Sequence, residues 1–225
     1  MEKMQKKLGF GFMRLPEKDG QVDVSQTEEM VDLFLERGFN YFDVARPYLD
    51  GKAELYLRQC LTSRYPRERY LLTDKLSGNY FKTQEDIRPL FFRQLEDCGV
   101  DYFDIYLMHS QCQENYGKYQ QCHAYETAFQ LKKEGYIRHV GISFHDTADF
   151  LEKILTDHLE IEVVQLQFNY LDYEDPAIQS GRCYEVCKKH GLPVKYDRLA
   201  LLAVSIFHLS HWRHDVTVAN YLLAV

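Results

Sequence analysis

The sequence has no apolar stretch near the roughly 18 residues that a membrane-spanning helix needs. The nearest candidate, Leu199 to Phe207, is half that length and leads into the polar run HLSHWRH. The N-terminus lacks an apolar segment before a small-residue cleavage site, so we expect a cytoplasmic protein. Positive charge is not in excess, since the net charge is −7. Membranes and nucleic acids are therefore not expected as partners.

Two common motifs of cysteine and glycine are absent as well. The six cysteines include no C-x-x-C pair, so we predict neither a redox dithiol nor a metal site. The segment GFGFM at Gly9 lacks the third glycine of a G-x-G-x-x-G fingerprint and leads into a turn rather than a helix. A doubly wound dinucleotide-binding sheet is therefore disfavoured.

A repeating unit is present instead: a helical stretch ends in charged residues and a glycine, and a short apolar run follows. The junction glycines are Gly38, Gly99, Gly135 and Gly191. Continuous apolar runs are typical of parallel strands buried on both faces. We predict six strands near residues 9–13, 40–44, 70–74, 102–108, 139–143 and 163–168, and consider a seventh that starts at Leu192.

This alternation predicts an α/β fold, and specifically a TIM (β/α)8-type barrel. The chain has 225 residues, fewer than the roughly 250 typical of such a barrel. We therefore expect about six βα units, with the barrel incomplete at its C-terminus. Ser25 and Glu28 have the spacing of a capping box, which predicts the start of the first helix.

Four polar residues follow successive predicted strands, namely Asp43 with Tyr48, then Lys75, then His109. Asp43 and Lys75 are 32 residues apart and Lys75 and His109 are 34 apart, close to one βα unit. A phenol can protonate a carbonyl that accepts hydride, and a nearby ammonium makes it a better acid. A carboxylate can hold the ammonium, and a histidine can orient the carbonyl.

Each residue has a structural alternative. Asp43 could cap a turn, and Tyr48 could pack at the barrel mouth like many of the 17 tyrosines. Lys75 and His109 are harder to explain structurally, because polar residues after buried barrel strands usually face the mouth, where catalytic residues lie.

The chain resembles the aldo-keto reductases in three motifs: FDVARPYLDGKAEL around Asp43, Tyr48 and Glu54, the lysine that closes YLLTDK, and DIYLMHS with His109. The likeness runs from about Leu8 to Val194. It implies an NADP(H)-dependent barrel oxidoreductase that reduces aldehydes or ketones with a catalytic Asp43, Tyr48, Lys75 and His109.

The resemblance also implies cofactor contacts. Ser143 in GISFH and Gln165 in VVQLQFN stand where the family binds the nicotinamide carboxamide, and Arg14 stands in its first cofactor loop. Many members have asparagine where this chain has Phe144, and His145 could take that role. The likeness is strongest to a bacterial branch that adds a ferredoxin-type iron-sulfur segment, whose cysteine run is absent here.

The pattern breaks after Val194. We predict a reductase-like barrel domain over residues 1–194 and a divergent tail over 195–225, as in a truncated or frameshifted enzyme. Truncation would impair activity and expose an open barrel edge through which copies could associate. One alternative is a non-enzymatic, degenerate or cofactor-sensing barrel. Another is a metal-dependent barrel hydrolase using Asp43, Lys75 and His109, although the first strand lacks the H-x-H that such sites commonly use.

Overall fold

The computed structural model describes residues 8–168, 173–197 and 222–223. The strands are β1 (Gly9–Gly11), β2 (Glu17–Lys18), β3 (Gln21–Val22), β4 (Tyr41–Asp43), β5 (Leu71–Leu76), β6 (Phe103–Gln111), β7 (Ile137–Phe144), β8 (Val163–Gln167), β9 (Val194–Asp197) and β10 (Leu222–Leu223). The helices are α1 (Val24–Glu36), α2 (Ala53–Leu57), α3 (Ile87–Cys98), α4 (Gln113–Gln121), α5 (Ala124–Lys133), α6 (Ala148–Asp157) and α7 (Ser180–Lys189). Within these ranges no helix is long and apolar enough to cross a membrane.

The main sheet contains seven parallel strands in the order β1-β4-β5-β6-β7-β8-β9, and β10 pairs antiparallel with β1. The α/β barrel-type fold is thereby confirmed. The six predicted strands are present, and β9 is the seventh that was considered from Leu192, which gives seven parallel strands in the described residues. β9 pairs in parallel with β8 from Val194 to Asp197, so regular structure continues past residue 194. The rest of the predicted tail lies outside the described residues, apart from β10.

Side chains on the parallel strands alternate between two layers. An inner cluster fills the curl of the sheet and consists of Tyr41, Leu71, Ile105, Leu107 and Val163. Neighbouring residues such as Phe42, Leu72 and Tyr106 face outward and pack in the larger core that the helices share with the sheet. By the same alternation, Asp43 and Lys75 face inward, and both lie at the carboxyl ends of their strands, β4 and β5. The period of two thus places them on the inner face at one end of the sheet.

The helix ends partly match their predictions. The glycines at the four predicted helix-to-strand junctions all have positive φ, from 66° at Gly191 to 90° at Gly135. The predicted capping box at Ser25 is wrong, because α1 begins earlier. Asp23 is the N-cap, and its carboxylate accepts from the Gln26 amide at 3.0 Å. An aspartate is as good a cap as serine, and here it precedes the serine in the chain.

A buried polar cluster lies in the outer layer between β5 and α3. Asp74 accepts from its neighbouring Lys75 amide at 2.7 Å and lies 3.7 Å from the Cys98 Sγ. Gln94 donates to Glu54 at 3.0 Å and to the Lys75 carbonyl at 3.1 Å. Burial, and secondarily the charge of Glu54, raise the pKa of Asp74 well above its ordinary value. Asp74 therefore retains its proton at a pH at which exposed aspartates are charged.

We expect Asp74→Asn to raise the free energy of unfolding at pH 7 by about 1–3 kcal/mol, because asparagine keeps the acceptor for the Lys75 amide without a buried ionisable carboxyl. Since the folded-state pKa is raised, the native state binds more protons than the unfolded chain above pH 3.8, so wild-type stability falls as pH rises through that window. The gain should therefore vanish near pH 3. Urea unfolding at pH 7 and near pH 3 measures the gain at each pH, with the exposed Asp101→Asn as the control. A gain in the free energy of unfolding that does not depend on pH would contradict the prediction.

Candidate active site

The centre of the candidate site is the Lys75 ammonium at the carboxyl end of β5, and the Lys75 side chain is 2% exposed. It forms an ion pair with Asp43 at the end of β4. It also donates to the Val44 carbonyl at 3.1 Å and to the Tyr48 hydroxyl at 3.3 Å. An ammonium has three N–H donors, so it can donate to these three acceptors at once. The buried cation is thus fixed between a carboxylate and a phenol.

Tyr48 lies in the loop after β4, at the start of a short 3₁₀ turn over Tyr48–Gly51. The next two residues, Leu49 and Asp50, have left-handed backbones with φ of 51° and 55°. Arg46 anchors this loop, because its guanidinium binds both Glu54 and Asp97. The loop therefore turns back sharply and holds the half-buried phenol over Lys75, whose ammonium lies 5.0 Å from the ring centroid.

His109 supplies the fourth predicted residue from β6. Its ring meets that of Tyr48 edge-on, with 5.7 Å between the centroids. Its Nδ1 is 2.6 Å from the Ser77 hydroxyl. Burial, and then the nearby charges of Lys75 and His145, lower the pKa of His109 well below its ordinary value. The imidazole is therefore neutral at neutral pH.

The predicted cofactor residues occupy different positions. Ser143 and Gln165 are both 3% exposed and are register partners on β7 and β8. The Gln165 amide approaches the Asp43 carboxylate at 3.5 Å, which links this pair to the centre of the site. Arg14 is exposed in the turn that follows β1. Its role in cofactor binding stays a prediction.

Phe144 and His145 have different environments at the end of β7. Phe144 is 2% exposed and packs on Phe150 in the outer layer, with 6.3 Å between the ring centroids. His145 is exposed beyond the strand end, where its charge acts on His109. Strand alternation explains the difference, because Ser143 faces inward and the following residue must face outward.

Two site-adjacent residues were missed by the sequence analysis. Ser77 lies two residues after Lys75 and directly follows the end of β5, so its position next to a predicted site residue was a usable signal. Lys195 on β9 is 1% exposed, and its ammonium nitrogen lies 3.6 Å from the centroid of the Tyr41 ring. Burial lowers the pKa of Lys195 well below its ordinary value. Nothing in its local sequence indicated a second lysine inside the barrel.

The described residues do not indicate a metal site. No cluster of three histidine, cysteine, aspartate or glutamate side chains able to share an ion occurs in the described ranges. Asp43, which the hydrolase alternative would need as a ligand, is bound to Lys75. The described donor set therefore gives no support to that alternative.

The sequence profile of the Aldo/keto reductase family matches residues 7–200. The chain belongs to this family. An aldo-keto reductase of Mycolicibacterium paratuberculosis is 28% identical over 160 residues, which cover 70% of this chain and 50% of that protein. The resemblance inferred from the motifs is confirmed, while the likeness to the iron-sulfur branch stays a prediction.

Solved aldo-keto reductases have the same fold. The holo form of one from Bacillus halodurans superposes with a TM-score of 0.71 at 23% identity, over 96% of this chain and 69% of that chain. One from Klebsiella pneumoniae in complex with NADPH gives a TM-score of 0.65 at 22% identity, over 85% and 67%. The chain spans about half the length of the curated relatives it matches.

Proposed function

We propose that this aldo/keto reductase family member transfers hydride from NADPH to an aldehyde or ketone, with Tyr48 as the proton donor. The observation that carries the proposal is the position of the Lys75 ammonium, which donates to Asp43 and to the Tyr48 hydroxyl at once. A phenol with a buried cation at its oxygen is suited to give up a proton and to remain as phenolate.

Four side chains divide the work in this proposal. Negative charge develops on the carbonyl oxygen as hydride arrives, and the Tyr48 hydroxyl transfers its proton there. The Lys75 ammonium stabilises the phenolate that forms, and Asp43 keeps the ammonium charged and oriented. His109, being neutral, donates a hydrogen bond from Nε2 to the same carbonyl oxygen. NADPH supplies the hydride when it is bound.

Ser143 and Gln165 fit the carboxamide of a nicotinamide. The Ser143 hydroxyl oxygen accepts from the Ser110 amide at 2.7 Å, so its own hydrogen remains to be donated. The Gln165 Oε1 is buried and has no hydrogen-bond partner within the described part of the chain. A carboxamide offers an acceptor to the first and a donor to the second. The NADPH complex of the Klebsiella pneumoniae reductase supports NADP(H) as the cofactor of this protein.

We predict that Ser77→Ala lowers kcat about 3- to 10-fold, because His109 loses the hydrogen bond that fixes its Nδ1 and so its ring direction. The affinity for NADPH should change less than about twofold, since Ser77 acts on His109 rather than on the carboxamide pair. Steady-state kinetics test this. Nitrogen-15 NMR of the imidazole should show the Nε2–H tautomer in the wild type, and an Nδ1–H tautomer there would contradict the proposed role.

The deciding experiment titrates NADPH into the purified chain, follows nicotinamide fluorescence, and then assays oxidation of NADPH with a panel of small aldehydes and ketones. Saturable binding and turnover that Tyr48→Phe abolishes would support the reductase. Binding without turnover of any carbonyl would favour the cofactor-sensing alternative. A folded chain that does not bind NADPH would overturn the proposal and favour a degenerate barrel.

We also propose that the protein is cytoplasmic and that copies associate through the edge of the sheet. All six cysteines are free thiols in the structure, which fits a reducing compartment. Unpaired backbone groups at a strand edge favour pairing with a second chain. Sedimentation velocity over a range of concentrations tests association, and a monomer throughout would rule it out.

A further inference from the structure

The segment after His109 does not continue as a regular strand. The pairing of β6 with β7 shifts register between Met108 and Gln111, which is a β-bulge. Within it Ser110 has φ of 52°, a left-handed conformation that residues other than glycine rarely adopt. The bulge turns the Ser110 amide toward Ser143 on the neighbouring strand, where it donates to the hydroxyl oxygen at 2.7 Å.

Asn115 on α4 holds this unusual backbone in place. Its side-chain amide donates to the Ser110 carbonyl at 2.7 Å. Its side-chain oxygen accepts from the Cys112 amide at 3.2 Å, which also caps the helix. The Tyr119 hydroxyl from the same helix shares its one hydrogen between the Leu76 carbonyl at 2.8 Å and the His109 carbonyl at 3.1 Å. Helix α4 therefore fixes both peptide groups that flank the bulge.

We propose that Asn115 is a positioning residue of the nicotinamide site: by holding Ser110 in its left-handed conformation, it directs the Ser110 amide to Ser143 and fixes the direction of the Ser143 hydroxyl. The expected effect on NADPH binding rests on the proposed function. The hydrogen bonds that link Asn115, Ser110 and Ser143 do not depend on it. Asn115 does not touch the cofactor in this account and acts through Ser110 and Ser143.

The chemistry explains why this direction matters. Ser143 and Gln165 are register partners on neighbouring strands. With the Ser110 amide at its oxygen, the Ser143 hydroxyl keeps its hydrogen for a ligand, while the buried Gln165 Oε1 is left as an acceptor. A donor and an acceptor side by side admit a carboxamide in one of its two orientations. If the Ser110 amide were released, the hydroxyl could rotate and accept as well as donate, and that selection would weaken. Backbone strain of this kind persists where the surroundings determine it.

The test uses Asn115→Asp, which keeps the acceptor for the Cys112 amide but removes the donor to Ser110. We expect NADPH to bind about tenfold more weakly, as for loss of one hydrogen bond to a buried group. At saturating NADPH, kcat should change less than about threefold, since Tyr48, Lys75 and His109 keep their contacts. A loss of kcat with unchanged NADPH affinity would contradict the positioning role.

Two second-site changes separate positioning from helix stability. Ser110→Gly removes the cost of the left-handed backbone, so the Ser110→Gly/Asn115→Asp variant should bind NADPH within about threefold of the wild type. Gly117→Ala lies within α4, where an added Cβ meets nothing within 4 Å, and it should stabilise the helix. The Asn115→Asp/Gly117→Ala variant should stay as weak as Asn115→Asp. Rescue by Gly117→Ala but not by Ser110→Gly would overturn the inference.

A measurement on the free protein keeps the inference testable if NADPH does not bind at all. Exchange of the Ser110 amide hydrogen, followed by NMR, should be about tenfold faster in Asn115→Asp than in the wild type and unchanged in Gly117→Ala. Faster exchange in a chain that binds no NADPH would support the hydrogen-bond chain and reject the proposed function. Unchanged exchange in Asn115→Asp would reject the inference whatever the activity.

Discussion

Replacing Lys75 with methionine is expected to lower the free energy of unfolding at pH 7 by about 3–5 kcal/mol, because it leaves the buried Asp43 carboxylate without its cation. Methionine has nearly the same length, so the loss reflects charge and hydrogen bonding rather than a cavity. The Asp43 side chain is 6% exposed and pairs with Lys75 in the structure. Urea unfolding monitored by circular dichroism gives the difference directly.

A double variant separates the unpaired charge from other effects of the substitution. Asp43→Asn/Lys75→Met removes both charges, and we expect it to recover at least about half of the stability lost in Lys75→Met. The two residues contact each other, so their effects should not be additive. Equal destabilisation of the single and double variants would show that the Lys75 side chain matters for packing instead.

Tyr48→Phe is expected to lower kcat for carbonyl reduction by about 10²- to 10⁴-fold, the usual contribution of a positioned general acid. The phenyl ring keeps its packing against His109, so NADPH affinity should stay within about threefold of the wild type. Steady-state kinetics at saturating NADPH and fluorescence titration measure the two quantities.

Tyr136→Phe is the matched control for this substitution. Tyr136 precedes β7 and therefore lies at the amino ends of the strands, away from Lys75. Its hydroxyl should be dispensable for reduction, with kcat changed less than about twofold. If Tyr48→Phe retained kcat at a comparable level, Tyr48 could not be the proton donor, and the proposed division of roles would have to be abandoned.

Much of the site's placement followed from sequence because parallel strands carry their carboxyl ends to one edge of the sheet. Asp43, Lys75 and His109 follow three successive strands at near-constant spacing, and the structure brings them together around Tyr48. Ser143 and Gln165 likewise end neighbouring strands. The barrel class and the helix-to-strand junctions followed from the same repetition, since apolar runs indicate buried strands and glycines indicate the ends of helices.

Contacts between segments that are distant in the chain could not be predicted from local sequence patterns. The pairing of Ser77 with His109, the burial of Asp74 and the lysine above Tyr41 depend on which side chains meet after the strands assemble. Asp23 replaced Ser25 as a helix cap because the helix start is settled by the loop that leads into it. A strand's period of two tells which way a side chain points, but not what it will meet.

The sequence by itself determined the order of strands and helices, the family and the ring of polar residues at the strand ends, because these are written in local periodicity and short motifs. Only the tertiary structure decided the seventh strand's partner, the bulge at Ser110 and the neutral state of His109. Register shifts and burial arise from the packing of residues far apart in the chain, so no local pattern encodes them.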